Sequence, residues 1–256
     1  MSNQKENKEE ISFEAPFDVL ELPSKGVLYP GRPKTVKVEY LTAADENILT
    51  SPNLIRSGKV LDILLEKKIK SSEIPMSQML VGDRNAIMIW LRATGYGEMY
   101  PVKMVDPTTS EEFETEVDLS TLKTKELTAQ PNENGEFSFD LPKSKREIKF
   151  KLLTVADESS IAKKAEARNK ATKSQISMAL TYRLQAQIKE IDGNRDPSII
   201  AKFVQVMPAY DSLKFREYSD DIEPGIDLTV DVEGPSGPFR GPFAIGLNFF
   251  WPNAGV

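Results

Sequence analysis

The chain contains no cysteine and no histidine in its 256 residues. Without histidine it has no Ser-His-Asp triad, no imidazole general base and no His-ligated metal site. Without cysteine it has no thiol nucleophile, no disulfide, no zinc ribbon and no iron–sulfur cluster. These two absences exclude the commonest catalytic and metal-binding arrangements, and we expect neither a metal nor a cofactor.

The sequence also lacks long apolar runs and an excess of positive charge. No segment approaches the roughly 18 consecutive apolar residues of a membrane span, and the polar start MSNQKENKEE is unlike a secretory signal. The net charge is −6, from 33 basic and 39 acidic residues, which argues against a broad nucleic-acid surface. We therefore expect neither a membrane nor a nucleic acid as partner, and we expect residues 1–12 to be a disordered tail.

Two segments of the chain, Val36 to Glu46 and Ile148 to Glu158, align without a gap at an offset of 112 residues. Each begins with the apolar/polar alternation of a half-buried strand and continues into Leu-Thr-x-Ala-Asp-Glu. Thr42 and Thr154 are expected to cap helices whose first turns carry two acids, which suit the positive end of a helix. The repeat predicts an α+β fold of two related units from an internal duplication, each with a strand, capped helices and a β-hairpin. The alternative is that the motif arose twice because it suits a strand-to-helix junction.

Turn-rich segments set the predicted boundaries. Residues 126–136 are polar and are expected to link a first unit at 13–125, with a hairpin at 100–119, to a second unit at 137–256. The second unit is expected to contain a long helix over 157–191, because residues 161–191 include neither glycine nor proline. It is expected to end in a C-terminal hairpin whose last strand runs from Phe243 to Phe250.

The long predicted helix carries the first candidate partner surface. Its second half has apolar residues four positions apart, which is the spacing of one helix face. These residues are Ile176, Leu180, Leu184 and Ile188. Its first half is basic and includes Lys163, Lys164 and Arg168. Such a helix either inserts into a partner or packs its apolar face on its own domain, and the sequence leaves both open.

Three consecutive aromatic residues, Phe249, Phe250 and Trp251, form the second candidate surface. Aromatic side chains bury large areas, so these residues either close the domain as part of its last strand or dock on a partner.

An acidic run lies near the C-terminus, with seven acids and no base from Glu217 to Glu233. The EF-hand pattern is absent, so we expect solvated acids rather than a calcium site. A further hypothesis is that the basic helix and this acidic run meet between neighbouring copies, which predicts salt-sensitive association.

No Walker A, GxGxxG, GxSxG or HExxH motif occurs in the sequence. A pair of carboxylates needs neither histidine nor cysteine, so a carboxylate-dependent, glycan-cleaving hydrolase is the alternative to a non-enzymatic protein. The only repeated acids are Asp45-Glu46 and Asp157-Glu158. Adjacent residues on a helix point about 100° apart, so neither pair converges on one substrate.

Several short motifs together resemble a known family. They are Leu-Pro-Ser-Lys-Gly at 22–26 with Tyr29-Pro30, the two Leu-Thr-x-Ala-Asp-Glu units, Leu119-Ser120 and the terminal Phe-Phe-Trp-Pro. Over about residues 17–253 the chain resembles the baseplate proteins of T4-type contractile-tailed phages, which include the baseplate hub subunit and the hub assembly protein. This resemblance implies a non-enzymatic structural or assembly role that acts through protein–protein contacts.

The same resemblance implies binding partners and a location. It also allows the hairpin turns to be compared with those of relatives. The partners would be other baseplate, hub, tube-initiator or tape-measure proteins and the chain itself, in the virion tail baseplate or in the host cytoplasm during assembly. In relatives the hairpin turns often carry Cys-x-x-Cys pairs that resemble zinc ribbons. Here the turns at Asp106 to Thr109 and at about Glu233 to Gly237 have no cysteine, so we expect turn chemistry in place of metal.

Overall fold

The computed structural model describes residues 14–70, 73–173, 176–243, 245 and 247–250, apart from the side chains of 247 and 248. It shows an α+β protein with about 42% helix and 24% strand, in which eight α-helices of the described residues accompany small antiparallel sheets. The fold class predicted from the sequence is confirmed. The tail predicted at 1–12 lies outside the described residues.

The first unit begins with an antiparallel strand pair and ends in a hairpin. β1 (Phe17–Glu21) pairs with β2 (Thr35–Glu39), and Ile69 forms a bridge to Val38 of β2. The helices between β2 and the hairpin are α1 (Ala43–Leu49), α2 (Pro52–Ser57), α3 (Val60–Lys68), a 3-10 turn (Met76–Gln78) and α4 (Val81–Tyr96). The hairpin consists of β3 (Met99–Val105) and β4 (Glu112–Asp118), followed by a 3-10 turn (Leu119–Thr121) and β5 (Thr124–Lys125).

The second unit also has a strand pair, helices and a hairpin in this order, but a third strand interrupts its helices and its short strand precedes the hairpin instead of following it. β6 (Phe137–Asp140) pairs with β7 (Glu147–Phe150), and β8 (Ile188–Ile191) lies on the other side of β7. The helices are α5 (Val155–Thr172) and α6 (Ala179–Gln187) before β8, then α7 (Pro197–Val206) and α8 (Ala209–Ile222) after it. The chain then forms β9 (Gly225–Ile226), the hairpin of β10 (Thr229–Gly234) and β11 (Gly237–Pro242), and a 3-10 turn (Leu247–Phe250).

Both repeated helices begin with the same cap. Thr42 is the N-cap of α1 and Thr154 is the N-cap of α5. In each copy the aspartate three residues later accepts the threonine backbone N–H at 2.9 Å and the threonine hydroxyl at 2.8 Å. The two strand-to-helix junctions predicted from the repeat are therefore confirmed.

A second correspondence between the units lies at the start of α4 and α8. Asp83, the third residue of α4, accepts the backbone N–H of Ser24 at 3.0 Å and its hydroxyl at 2.6 Å. Asp211, the third residue of α8, accepts the backbone N–H groups of Lys143 at 2.6 Å and Ser144 at 2.8 Å. In both units a buried acid of the later helix thus holds the turn after the first strand, as a duplication predicts.

The predicted single helix over 157–191 is wrong. α5 ends at Thr172, where Lys173 adopts a left-handed φ of 49°, and α6 begins at Ala179. Residues 188–191 form β8, in which Ile188 pairs with Phe150 of β7. Burial of Ile188 and Ile191 in the sheet outweighs helix propensity, which is a weak preference that tertiary packing overrides.

The last predicted strand is also wrong, although the C-terminal hairpin is confirmed at Thr229–Pro242. β11 ends at Pro242, and one further backbone hydrogen bond joins the Phe243 N–H to Leu228 O at 3.0 Å. Within the segment 243–250 the structure has a 3-10 turn, Leu247–Phe250, instead of a strand.

The two units pack on one continuous hydrophobic core. Leu80 forms a bridge with Thr154, and the backbone N–H of Val155 donates to Met79 O at 2.9 Å. β5 of the first unit pairs with β9 of the second. The segment 126–136 contributes Leu127 and Ala129 to the edge of this core. This segment therefore connects two units that share a core, and it is not a spacer between independent domains.

Candidate protein–protein interface

The second half of α5 is a basic, exposed surface. We call residues 163–173 the basic segment; it holds five basic residues and one acid, a local charge of +4. Lys163, Lys164 and Arg168 are exposed, and none of them forms an ion pair within the described part of the chain. Glu166 pairs with Lys170 at 2.5 Å. The three predicted basic interface residues are therefore available at the surface.

A groove of about 440 Å³ separates the start of the basic segment from the first unit. Its two walls carry opposite charges, because α3 contributes Asp62 and Glu66 and α5 contributes Lys163 and Lys164. Met76 and Val155 lie between the walls. Such a groove has an apolar floor and can hold a polypeptide segment that carries both signs of charge.

The four predicted apolar residues are divided between the surface and the core. Ile176 is 74% exposed and Leu180 is 45% exposed, whereas Leu184 is 4% exposed and Ile188 is 1% exposed. The prediction that Leu184 and Ile188 contact a partner is wrong. α6 packs between α5 and α7, so Leu184 faces the protein's own core, and Ile188 lies in the central sheet of the second unit.

Two of the three C-terminal aromatic residues, Phe249 and Phe250, close the core and are not a docking surface. Phe249 and Phe250 are both buried, so the prediction that they contact a partner is wrong. The ring of Phe249 lies 4.8 Å from that of Tyr100 in β3 and 5.4 Å from that of Phe250. The final 3-10 turn presents both side chains to the first unit. Trp251 lies outside the described residues.

An apolar surface on α7 was missed by the sequence reasoning. Ile199, Phe203 and Val206 follow the i, i+4, i+7 spacing of one helix face. Val206 is 77% exposed, and Ile199 is also exposed. The signal was present in the run Ser-Ile-Ile-Ala-Lys-Phe-Val-Gln-Val, whose apolar residues recur with helical spacing.

The two hairpin turns meet at a cluster that we call the turn junction, in which the buried Asp106 of the first turn binds the exposed Ser236 of the second. The Asp106 carboxylate accepts the Ser236 hydroxyl at 2.6 Å and the Ser236 backbone N–H at 2.9 Å. It also accepts the backbone N–H groups of Thr108 and Thr109. These hydrogen bonds, above all that of the Ser236 side chain, hold the pKa of Asp106 well below its ordinary value. The turns that lack cysteine are thus joined by hydrogen bonds.

Every buried carboxylate in the described ranges has a donor from the same chain. The six are Asp45, Asp83, Asp106, Glu136, Glu190 and Asp211. Glu136 and Glu190 share Arg195, with N–O distances of 2.7 Å. Burial raises the pKa of Asp83, and the hydrogen bonds from Ser24 and Tyr29 oppose that rise. These six acids therefore stabilise contacts between segments of the chain.

Glu223 is the acid with the most unusual environment. Burial first, and repulsion from Asp220 second, raise the pKa of Glu223 to about 7. It lines a cleft of about 300 Å³ between the two units, together with Arg183 and Glu158. Arg183 is already paired with Glu158 at 2.6 Å.

The described ranges contain neither a group of side chains that could hold a metal ion nor a helix that could span a membrane. No cluster of three or more histidine, cysteine or acidic residues there could hold a metal ion. No helix in those ranges has both the length and the apolar character needed to cross a membrane.

Comparison with known proteins gave no match to a family model, to a curated protein or to a solved structure.

Proposed function

We propose that the protein is a non-enzymatic structural or assembly protein of a contractile phage tail baseplate, in the hub region, and that it acts through protein–protein contacts. The observation that carries this proposal is the use of its buried acids. All six within the described ranges bind donors of the same chain. A carboxylate that holds the backbone in place is not free to exchange a proton with a substrate.

The motifs that resemble the baseplate family support the proposal by their positions in the fold. Ser24 and Tyr29, from the first motif, bind Asp83. The two Leu-Thr-x-Ala-Asp-Glu units form the helix caps. Phe249 and Phe250, from the last motif, fill the core. The resembling residues therefore specify a scaffold.

The exposed surfaces of the second unit support a role in assembly. The basic segment lies at the end of α5, Leu180 lies on α6 and the apolar face lies on α7, while Ile176 lies in the connection between α5 and α6. A combination of apolar and basic groups suits protein partners. We propose other baseplate, hub, tube-initiator or tape-measure proteins as these partners, in the virion or in the host cytoplasm during assembly.

The test is quantitative mass spectrometry of purified contractile particles and of their assembly intermediates. A permanent subunit is expected in finished particles at a fixed copy number. A transient assembly factor is expected only in the intermediates. Absence of the chain from both preparations would overturn the proposal.

A carboxylate-dependent hydrolase is the second candidate, and Glu223 is the observation that favours it. A carboxyl group with a pKa of about 7 inside a cleft can act as a general acid at neutral pH. We expect no cleavage of cell-wall glycan by the purified protein. Turnover that Glu223→Gln abolishes would favour the hydrolase and contradict our proposal.

A further inference from the structure

We propose that copies of this chain associate head to tail, with the basic segment of one copy on an acidic hairpin face of the next. The acidic hairpin face consists of Glu112, Glu114 and Glu116 on β4, with Asp231 of β10 beside them. The inference concerns only charges within the chain, so it does not rest on the baseplate role.

The acidic hairpin face follows from the alternation of β4. Glu112, Glu114 and Glu116 are exposed, while the residues between them are partly or fully buried. Alternate residues of a strand project to the same side, so the three carboxylates form one row. Glu114 lies 3.3 Å from Lys103 of β3. Glu112 and Glu116 form no ion pair with any described residue.

A groove of about 390 Å³ extends the row towards the second hairpin. Its charged lining consists of four acids, Glu116, Asp118, Asp227 and Asp231, and two bases, Lys123 and Arg240, so acids predominate. Asp227 is paired with Arg240 at 3.0 Å. The negative surface is therefore larger than one strand, and it is concave next to Glu116.

Exposed apolar side chains lie among these acids. Val105 of β3 pairs across the hairpin with Glu112, and Pro101 pairs with Glu116. Val105 and Met99 are both about half exposed. Cross-strand pairs share one side of a sheet, so the apolar groups of β3 lie side by side with the carboxylates of β4. This face is complementary to a surface that carries basic and small apolar groups.

The basic segment has matching chemistry and spacing. Ala167 and Ala171 are exposed between its basic residues. Lys164 and Arg168 lie one helical turn apart, a rise of about 6 Å. Successive glutamates on one side of a strand are about 6.8 Å apart. Each basic side chain can therefore face a separate carboxylate.

These two surfaces do not meet within one copy. α5 packs mainly on α6 and on the 3-10 turn at 76–78, whereas β4 packs mainly on β3 and β10. Among the described residues, no ion pair joins the basic segment to the acidic hairpin face. Their opposite charges are therefore available to a second copy. Because the two surfaces differ, the contact repeats and forms a ring or a filament.

The test measures self-association of the full chain by sedimentation velocity at 20 mM and at 500 mM NaCl. Exposed charges are screened at high salt, so we expect association at 20 mM and at least tenfold weaker association at 500 mM. The arm variant, Lys164→Glu with Arg168→Glu, and the face variant, Glu112→Lys with Glu116→Lys, are each expected to weaken association at 20 mM at least tenfold.

Three experiments distinguish this contact from general charge effects and from misfolding. A mixture of the arm variant and the face variant is expected to associate, because each restores an opposite charge for the other. The four-site variant that carries both reversals is expected to associate by itself. A control, Lys34→Glu with Lys202→Glu, changes the net charge as the arm variant does at exposed positions elsewhere and is expected to associate like the original chain.

Any of four results would overturn the proposal. The first is a chain that stays monomeric at 20 mM NaCl and high micromolar concentration. The second is a control variant as impaired as the arm variant, and the third is failure of both the mixture and the four-site variant to associate. The fourth is binding of duplex DNA by the basic segment at 150 mM NaCl that displaces association.

Discussion

The hydroxyl of Tyr29 connects three segments of the first unit. It donates to Asp83 at 2.6 Å and accepts the backbone N–H of Leu80 at 2.8 Å, and Asp83 in turn binds Ser24. We expect Tyr29→Phe to lower the free energy of unfolding by roughly 1–3 kcal/mol, because it leaves the buried N–H of Leu80 without a partner and removes one of the two hydroxyl groups that donate to Asp83 Oδ2. Urea denaturation followed by circular dichroism measures this loss.

Tyr40→Phe is the matched control for this prediction. The Tyr40 hydroxyl also donates to a carboxylate, that of Asp18 at 2.7 Å, but this contact is exposed to solvent. We expect its removal to change stability by no more than about 0.5 kcal/mol. Equal losses in the two variants would contradict the role assigned to Tyr29.

Asp45 makes part of the stability depend on pH. Burial acts to raise the pKa of Asp45, but Lys67, Lys68 and Thr42 outweigh it and lower the pKa to about 2. The unfolded value is about 3.9, so the contribution is complete above pH ~4 and is lost as the pH falls towards 2. We expect the original chain to be more stable than Asp45→Asn at pH 6, with a difference that shrinks between pH 4 and 2. Urea midpoints across this range test it, and a constant difference would contradict it.

At the scale of elements, α6 carries a core residue, Leu184, and a surface residue, Leu180, one helical turn apart. Leu184→Ala is expected to lower the free energy of unfolding by about 2–5 kcal/mol, because it leaves a cavity in the core. Leu180→Ala is expected to cost less than about 1 kcal/mol, since that side chain is already half exposed. Chemical denaturation of both variants distinguishes them. Similar losses would mean that the two residues share one environment.

The repeated junctions could be predicted from sequence because their chemistry is local. Thr42 and Asp45, like Thr154 and Asp157, lie within one turn of each other, so the motif itself specifies the cap. The end of α6 could not be predicted in this way. The chain there has neither glycine nor proline, and α6 ends at Gln187 because Ile188 lies in the sheet, where it pairs with Phe150 of β7.

Among the candidate interface residues, surface exposure could be predicted from sequence only for the charged ones. The basic segment is exposed as expected, because lysine and arginine are rarely buried without a partner. The place of Phe249 and Phe250 depends on Tyr100, which is distant in sequence. The spacing Met-x-x-x-Asp, present at 79–83 and at 207–211, could have revealed the two helix anchors.

At the scale of the whole molecule, a glycine contact holds the two units together. A Cβ on Gly82 would lie 1.7 Å from the carbonyl oxygen of Pro224, which belongs to the backbone and cannot move away alone. We expect Gly82→Ala to destabilise the protein by about 3 kcal/mol or more, because α4 and β9 are forced apart. Thermal unfolding measured by calorimetry gives the effect.

Gly95→Ala is the control for this substitution. It lies in the same helix, and its added Cβ would meet side-chain atoms of Leu41, with Cδ1 at 2.8 Å and Cβ and Cγ at 3.4 Å, which can move aside because no backbone atom is involved. Alanine is also the better helix former by about 1 kcal/mol, so we expect a nearly unchanged transition. A comparable loss in both variants would show that α4 tolerates no added methyl group anywhere, and would contradict a specific contact between the units.

The hydrogen bonds of the turn junction can form only late in the synthesis of the chain. Asp106 and Ser236 are separated by 130 residues, and a ribosome that adds about 5–20 residues per second needs roughly 7 to 26 s to cover that distance. During this interval the first hairpin is complete as a sequence, but its partner hairpin has not been synthesised. The inner side of the first hairpin, including Phe113 that later meets Phe239, is then a surface for chaperones to protect.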